Sequence, residues 1–203
     1  MCRFKSMILL KDRVFIPDYD SHQDMLDELQ IEDNRKNAES LFVRVELSPA
    51  DNDVFSDIST WKYTVDQDIL PDWYVEEVDK KRAIEATEKW AKNHIFIGQN
   101  NLKLKEGGKY YIKDCKNVIV YGSTTVNAWG SATVKAWGSA TVEAWGSATV
   151  KAYDSATVFN SQFFGWRNKD TIILCDNATF KDNDTKTIYQ AGDWKLVIKE
   201  GVE

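Results

Sequence analysis

Five consecutive octapeptides constrain this 203-residue chain more than any other feature. From Val118 they read VIVYGSTT, VNAWGSAT, VKAWGSAT, VEAWGSAT and VKAYDSAT, ending at Thr157. A fixed period this short predicts a solenoid, in which each repeat buries its apolar side by stacking on its neighbours. Eight residues cannot make a helical hairpin, so the coils are built from strands. The recurring Gly-Ser pair supplies a corner. Between corners, Ala-Thr-Val-Lys-Ala-Trp alternates its side chains between two sides. Ala140, Val142 and Ala144 fall on one side, and Thr141, Glu143 and Trp145 on the other. Lys135, Glu143 and Lys151 share one position in successive octads, and a charge is not buried without a partner. Ala, Val and Ala therefore face inward, and Thr, Lys or Glu, and Trp face out.

Two octads close a flattened coil, and three close a triangular one. The inward residues are too small to fill a triangular interior, so two octads per coil are predicted. Trp129 then stacks on Trp145 on one face, Trp137 on Tyr153 on the other, and Lys135 on Lys151. No octad folds alone. Ordering eight backbones costs roughly 8–16 kcal/mol, whereas one buried Val returns about 1.5–3 kcal/mol. Stacking supplies the rest, and open ends need caps. The N-terminal half is expected to cap one end. Residues 159–203 are expected to form a β cap at the other, with Phe159, Phe163, Phe164 and Trp166, an echo of the repeat at Cys175–Phe180, and closing strands at Thr187-Ile-Tyr and Lys195-Leu-Val-Ile.

Charge and composition divide the chain near Ile95–Gln99. Residues 1–95 hold 21 acids and 13 bases, a net of −8, together with all three prolines and both histidines; residues 96–203 hold 11 acids and 13 bases, a net of +2, and all ten glycines. The predicted domains are therefore an α+β domain over 1–95 and a β-solenoid with its cap over 96–203, with the repeats at about 118–157. In the first domain, Phe4–Leu10 and Arg13–Ile16 read as a hairpin. Ser21-His-Gln-Asp24 reads as a helix start, and Leu41–Leu47 and Trp61–Val65 read as strands. Pro71 is placed in the first turn of a long helix over Asp72–Lys92, with Val75, Val78, Ile84 and Trp90 as its packing side.

The formal charge of −6 argues against a nucleic-acid partner. No apolar run is long enough to span a bilayer, and the Met7–Leu10 run is shorter than a secretory signal needs. Three widely spaced cysteines suit a reducing cytoplasm. Cys2 is the sharpest chemical candidate: removal of Met1 would leave a thiol beside an α-amine able to serve as its base, with Asp18, Asp20, His22 and Glu46 as possible helpers. Asp18-Tyr-Asp-Ser-His22 carries oxygen and nitrogen donors, but a helix start explains the same residues, and neither a metal nor another cofactor is expected. Asp66-Gln-Asp68 with Asp72 reads either as a ligand-binding edge or as acids dressing a helix N-terminus. The column Trp129, Trp137, Trp145 and Tyr153 fits rings packed over their own corners, a self-association face, or a platform for a sugar or base.

Met1-Cys2-x-Phe4, Asp20-Ser-His22, Phe42-Val-Arg-Val-Glu46, Asp66-Gln-Asp68 with Pro71-Asp-Trp73, and the Gly-Ser-Ala-Thr-Val octads resemble those of a set of uncharacterised proteins of bacteria and their phages. The resemblance covers most of the chain. It implies a two-part design and carries no activity with it. The expected function is that of a non-enzymatic binding or assembly protein of a bacterium or phage. Its solenoid would self-associate or meet a small-molecule, glycan or protein partner through the aromatic column. The alternatives are a Cys2-dependent enzyme or covalent trap aided by His22 and Asp20, and an acidic decoy for a host nucleic-acid-binding defence protein.

Overall fold

The structure, a computed structural model, describes residues 4–105, 107–160, 171–183, 185 and 187–191. The chain divides into two compact units, Met1–Asn93 and His94–Glu203.

The first unit is α+β. Strands β1 (Lys5–Leu10), β2 (Val14–Phe15), β3 (Phe42–Ser48) and β4 (Lys62–Val65) form an antiparallel sheet in the order β2-β1-β3-β4. β1 is buried along its whole length. Helices α1 (His22–Glu28) and α2 (Arg35–Ala38) bring Met25, Leu26 and Ala38 onto Ile8, Leu10 and Phe42. Ser21 caps α1, its hydroxyl accepting from the Asp24 N–H at 3.2 Å, which satisfies one of the donors orphaned at a helix start.

The long helix α3 runs Glu76–His94, starting four residues later than the sequence predicts. Pro71 opens a separate turn, its carbonyl accepting from the Tyr74 N–H. The predicted packing side holds only in part: Trp90 is buried and Ile84 half-buried, but Val75 and Val78 are exposed, and Asp79, Ala83, Thr87 and Ala91 are buried beside Trp90. The reason is polar. The Asp79 carboxylate accepts from the Val75 N–H at 2.8 Å and pairs with Arg82 at 2.6 Å, and Arg82 donates onward to the Leu10 carbonyl at 2.7 Å. This chain of bonds turns Asp79 inward and leaves the two valines outside.

The second unit is the β-solenoid with two octads per coil. One sheet stacks β5 (Ile95–Ile97), β7 (Lys109–Lys113), β9 (Thr125–Trp129), β11 (Thr141–Ala144), β13 (Thr157–Asn160) and β15 (Thr179–Asp182) in parallel. The other stacks β6 (Lys103–Leu104), β8 (Val118–Val120), β10 (Thr133–Ala136), β12 (Thr149–Ala152) and β14 (Thr171–Leu174). Thr133 lies beside Thr149 and Thr141 beside Thr157, a spacing of about 16 residues. From β12 to β14 and from β13 to β15 the register lengthens, Thr149 facing Thr171 and Thr157 facing Thr179. The extra residues fall between Asn160 and Thr171.

The inward positions are as predicted. Val126, Val142 and Val158 form one fully buried column, and Ala128 and Ala144 another. Larger side chains, Ile112, Leu104, Leu174 and Phe180, fill the core toward its two ends. Gly130, Gly138 and Gly146 turn the corners at positive φ. At Gly138 a Cβ would lie 3.2 Å from the Gly122 backbone nitrogen, so glycine is required there by conformation and by space. Asp114 and Asp154 take the same corner position elsewhere. The Asp114 carboxylate accepts from both the N–H and the hydroxyl of Ser131, and these bonds hold its carboxyl below the usual carboxylate range.

The parallel stacking begins at Ile95, at the predicted domain boundary and three strands (β5–β7) before the first octad at Val118. It also continues past Thr157, since β14 and β15 remain in the parallel stacks and Ala178 in the echo is fully buried. The β cap comes later, as β16 (Thr187–Gln190) folds back antiparallel on β15. Phe163, Phe164, Trp166 and Lys195-Leu-Val-Ile lie outside the described residues.

Candidate functional site

Two places gather the residues singled out by sequence. The first lies on the sheet of the N-terminal unit. Antiparallel pairing sets Glu46 of β3 between Ser6 of β1 and Thr64 of β4. The same register carries Asp66 to Arg44, the Asp66 N–H bonding the Arg44 carbonyl. His22, the first residue of α1, reaches into this group. Its Nδ1 is 3.1 Å from Asp66 Oδ2 and its Nε2 is 3.2 Å from the Val45 carbonyl. His22, Glu46 and Asp66 offer ligand atoms that all lie within 4.8 Å of one another. His22 and Glu46 are buried, while Asp66 is open to solvent.

Asp66 also lines a polar cleft of about 610 Å³, with Asp33, Arg44, Gln67, Asp68 and Ile69. Arg44 pairs with Asp33 there, and Gln67 is fixed by accepting from the Arg44 N–H and donating to the Phe42 carbonyl. The acidic loop Asp66-Gln-Asp68 is thus a cleft edge at the end of β4, well before the helix that begins at Glu76.

Asp20, named beside His22 as a helper, has a different setting. It accepts from the buried Lys5 ammonium at 2.8 Å and from the Ser6 N–H at 3.3 Å. Asp18 accepts from the Trp90 indole N–H at 3.3 Å. Neither belongs to the His22 group. Cys2 lies outside the described residues. The described cysteines, Cys115 and Cys175, are free thiols, and burial pushes the Cys115 thiol up. That favours an inert thiol. Sequence reasoning took Asp66 as part of a possible ligand-binding edge with Asp68 and Asp72, and did not join it to His22 and Glu46. Extending the pairing of Leu41–Leu47 with Trp61–Val65 by one step would have brought it to Arg44.

The second place is the aromatic pair on each solenoid face. Trp129 and Trp145 stack with centroids 5.6 Å apart and planes within 11°; Trp137 and Tyr153 stack at 3.8 Å and 3°. Tyr111 extends the first pair at 6.2 Å. The stacks arise because each ring's backbone N–H bonds one coil back, Trp137 to Val120, Trp145 to Ala128 and Tyr153 to Ala136. All four rings are half-buried. Each spends a face on its neighbour, and the Lys151 ammonium lies 5.3 Å from the Tyr153 ring centre.

No family model, curated protein or solved structure matches this chain. Among the described residues no helix is long and apolar enough to cross a membrane.

Proposed function

We propose that the chain is a non-enzymatic binding or assembly protein, acting in the cytoplasm, whose solenoid is a rigid spacer and whose ring stacks are its contact surfaces. The observation that carries this reading is the pair of stacks, Trp129–Trp145 and Trp137–Tyr153, set on the two outward faces and only half-buried. Partly exposed aromatic rows are a common mark of protein contact. Because the rings use faces on one another, they favour a flat protein partner, such as a second copy, over a sugar or base that needs an open ring face.

The test is native mass spectrometry with light scattering on the purified chain. The expected result is an oligomer that Trp137→Ser and Trp145→Ser each dissociate, with the β signal in circular dichroism unchanged, while Trp137→Phe retains it. A wild-type chain that stays monomeric at high concentration and captures no protein contradicts the proposal. Loss of the β signal in both serine variants would instead make the rings part of the fold.

A further inference from the structure

The His22 group points to a function separate from the ring stacks. We propose that His22, Glu46 and Asp66 bind a divalent transition metal of the zinc or manganese type. His22 Nε2 faces the Val45 carbonyl at 3.2 Å, and a ring N–H donated to a backbone carbonyl is the usual way a ligating histidine is held in one tautomer. That bond leaves the Nδ1 lone pair directed at the Asp66 carboxylate, 3.1 Å away. A lone pair and a carboxylate repel, so the arrangement calls for a positive charge at Nδ1, either a proton or a metal ion. The distance suits a metal: two ligands each about 2.1 Å from one ion lie about 3–3.4 Å apart.

Two further observations favour the metal over the proton. Glu46 brings a second carboxylate, almost fully buried, to within 4.8 Å of both other ligands. Ser6, paired directly with Glu46 across the sheet, is completely buried, and its hydroxyl has no hydrogen-bond partner among the described residues. A buried hydroxyl beside a carboxylate calls for a polar occupant, and water carried by a metal ion would supply one. One imidazole and two carboxylates select zinc, manganese or iron(II) over the all-oxygen preference of calcium and magnesium. Asp66 lines the 610 Å³ cleft as well, so the ion would be reached from that side.

The probe is the metal alone. Chelator-stripped full-length chain is titrated with Zn²⁺, and separately with Mg²⁺, by calorimetry. The expected result is one Zn²⁺ per chain, bound much more tightly than Mg²⁺, with Asp66→Asn and His22→Gln each weakening binding by about tenfold or more. Trp137→Ser should leave it unchanged, which separates this site from the stacks. The Asp66 side chain is 58% exposed, so Asp66→Asn should fold normally even if His22→Gln does not. No uptake at millimolar Zn²⁺ overturns the proposal and assigns the charge at Nδ1 to a proton. Uptake that is equally tight in Asp66→Asn also overturns it and places the metal elsewhere.

Discussion

Val142→Asp is expected to abolish the solenoid. Val142 is completely buried between Val126 and Val158, with Ala144 two residues on in the strand and Ala140 just before it. None of these can partner a carboxylate. Placing an unpaired charge there costs several kcal/mol, a large part of the 5–15 kcal/mol typical of a whole domain. In a solenoid the damage also spreads, because each coil is stable only against its neighbours. Urea denaturation followed by circular dichroism should show the β signal lost or its midpoint greatly lowered. Glu143→Lys, one residue along on the outer side, should change stability by less than about 0.5 kcal/mol. A Val142→Asp chain with the wild-type midpoint would mean that the inward side has been assigned wrongly.

The second large effect belongs to Asp79. Its carboxylate is buried, caps the start of α3 through the Val75 N–H, and pairs with Arg82, which in turn holds the Leu10 carbonyl. Asp79→Ala leaves a mostly buried guanidinium without its carboxylate and a helix-start N–H without its acceptor. Breaking one side of such a pair costs about 3–5 kcal/mol. The helical signal of the N-terminal unit should melt at a much lower urea concentration. Val78→Ala on the same helix should change stability by less than about 0.5 kcal/mol, because Val78 is exposed. The reverse ranking would restore the packing side that hydrophobicity alone predicts.

The Val78 comparison shows where the sequence misleads. Apolar residues mark a packing face only when burial of hydrocarbon decides it. On α3 a carboxylate and an arginine decide the first turns, and the buried side there carries Asp79, Ala83 and Thr87, with the predicted Trp90 following later. The solenoid was far more legible. Its octads repeat the corner and the inward Val and Ala, and the small size of those residues already favours two octads per coil. The strands at Ile95–Lys113 were assigned to the solenoid domain but not to its repeats, because they keep the geometry without the motif. Their inward places are taken by different residues, such as Phe96 and Ile112. The end of the repeat was drawn too early for the same reason, since Thr171–Asp182 keeps the parallel stacking after the Trp-Gly-Ser corner is gone.

The metal-ligand group was half legible. His22 and Glu46 stood out as possible helpers of Cys2, His22 at a helix start and Glu46 toward the end of a strand. Their union with Asp66 depends on the register of β3 against β4 and on the seating of α1, which arise from tertiary pairing rather than from local spacing. Asp20 stood out as a possible helper of Cys2, which lies outside the described residues. Its closeness to His22 in sequence is a by-product of the helix start, and its charge serves the buried Lys5.

The central claim is that two octads make one coil, so that outward positions 16 residues apart are neighbours and those eight apart lie on opposite sheets. Spin labels at positions 135 and 151, in a background without native cysteines, test it directly. The account predicts strong dipolar broadening, since adjacent strands are about 4.8 Å apart and Lys135 lies beside Lys151. Labels at 135 and 143 should show none, because those side chains point away from each other on opposite faces. Broadening for 135 with 143, or its absence for 135 with 151, would contradict the two-octad coil.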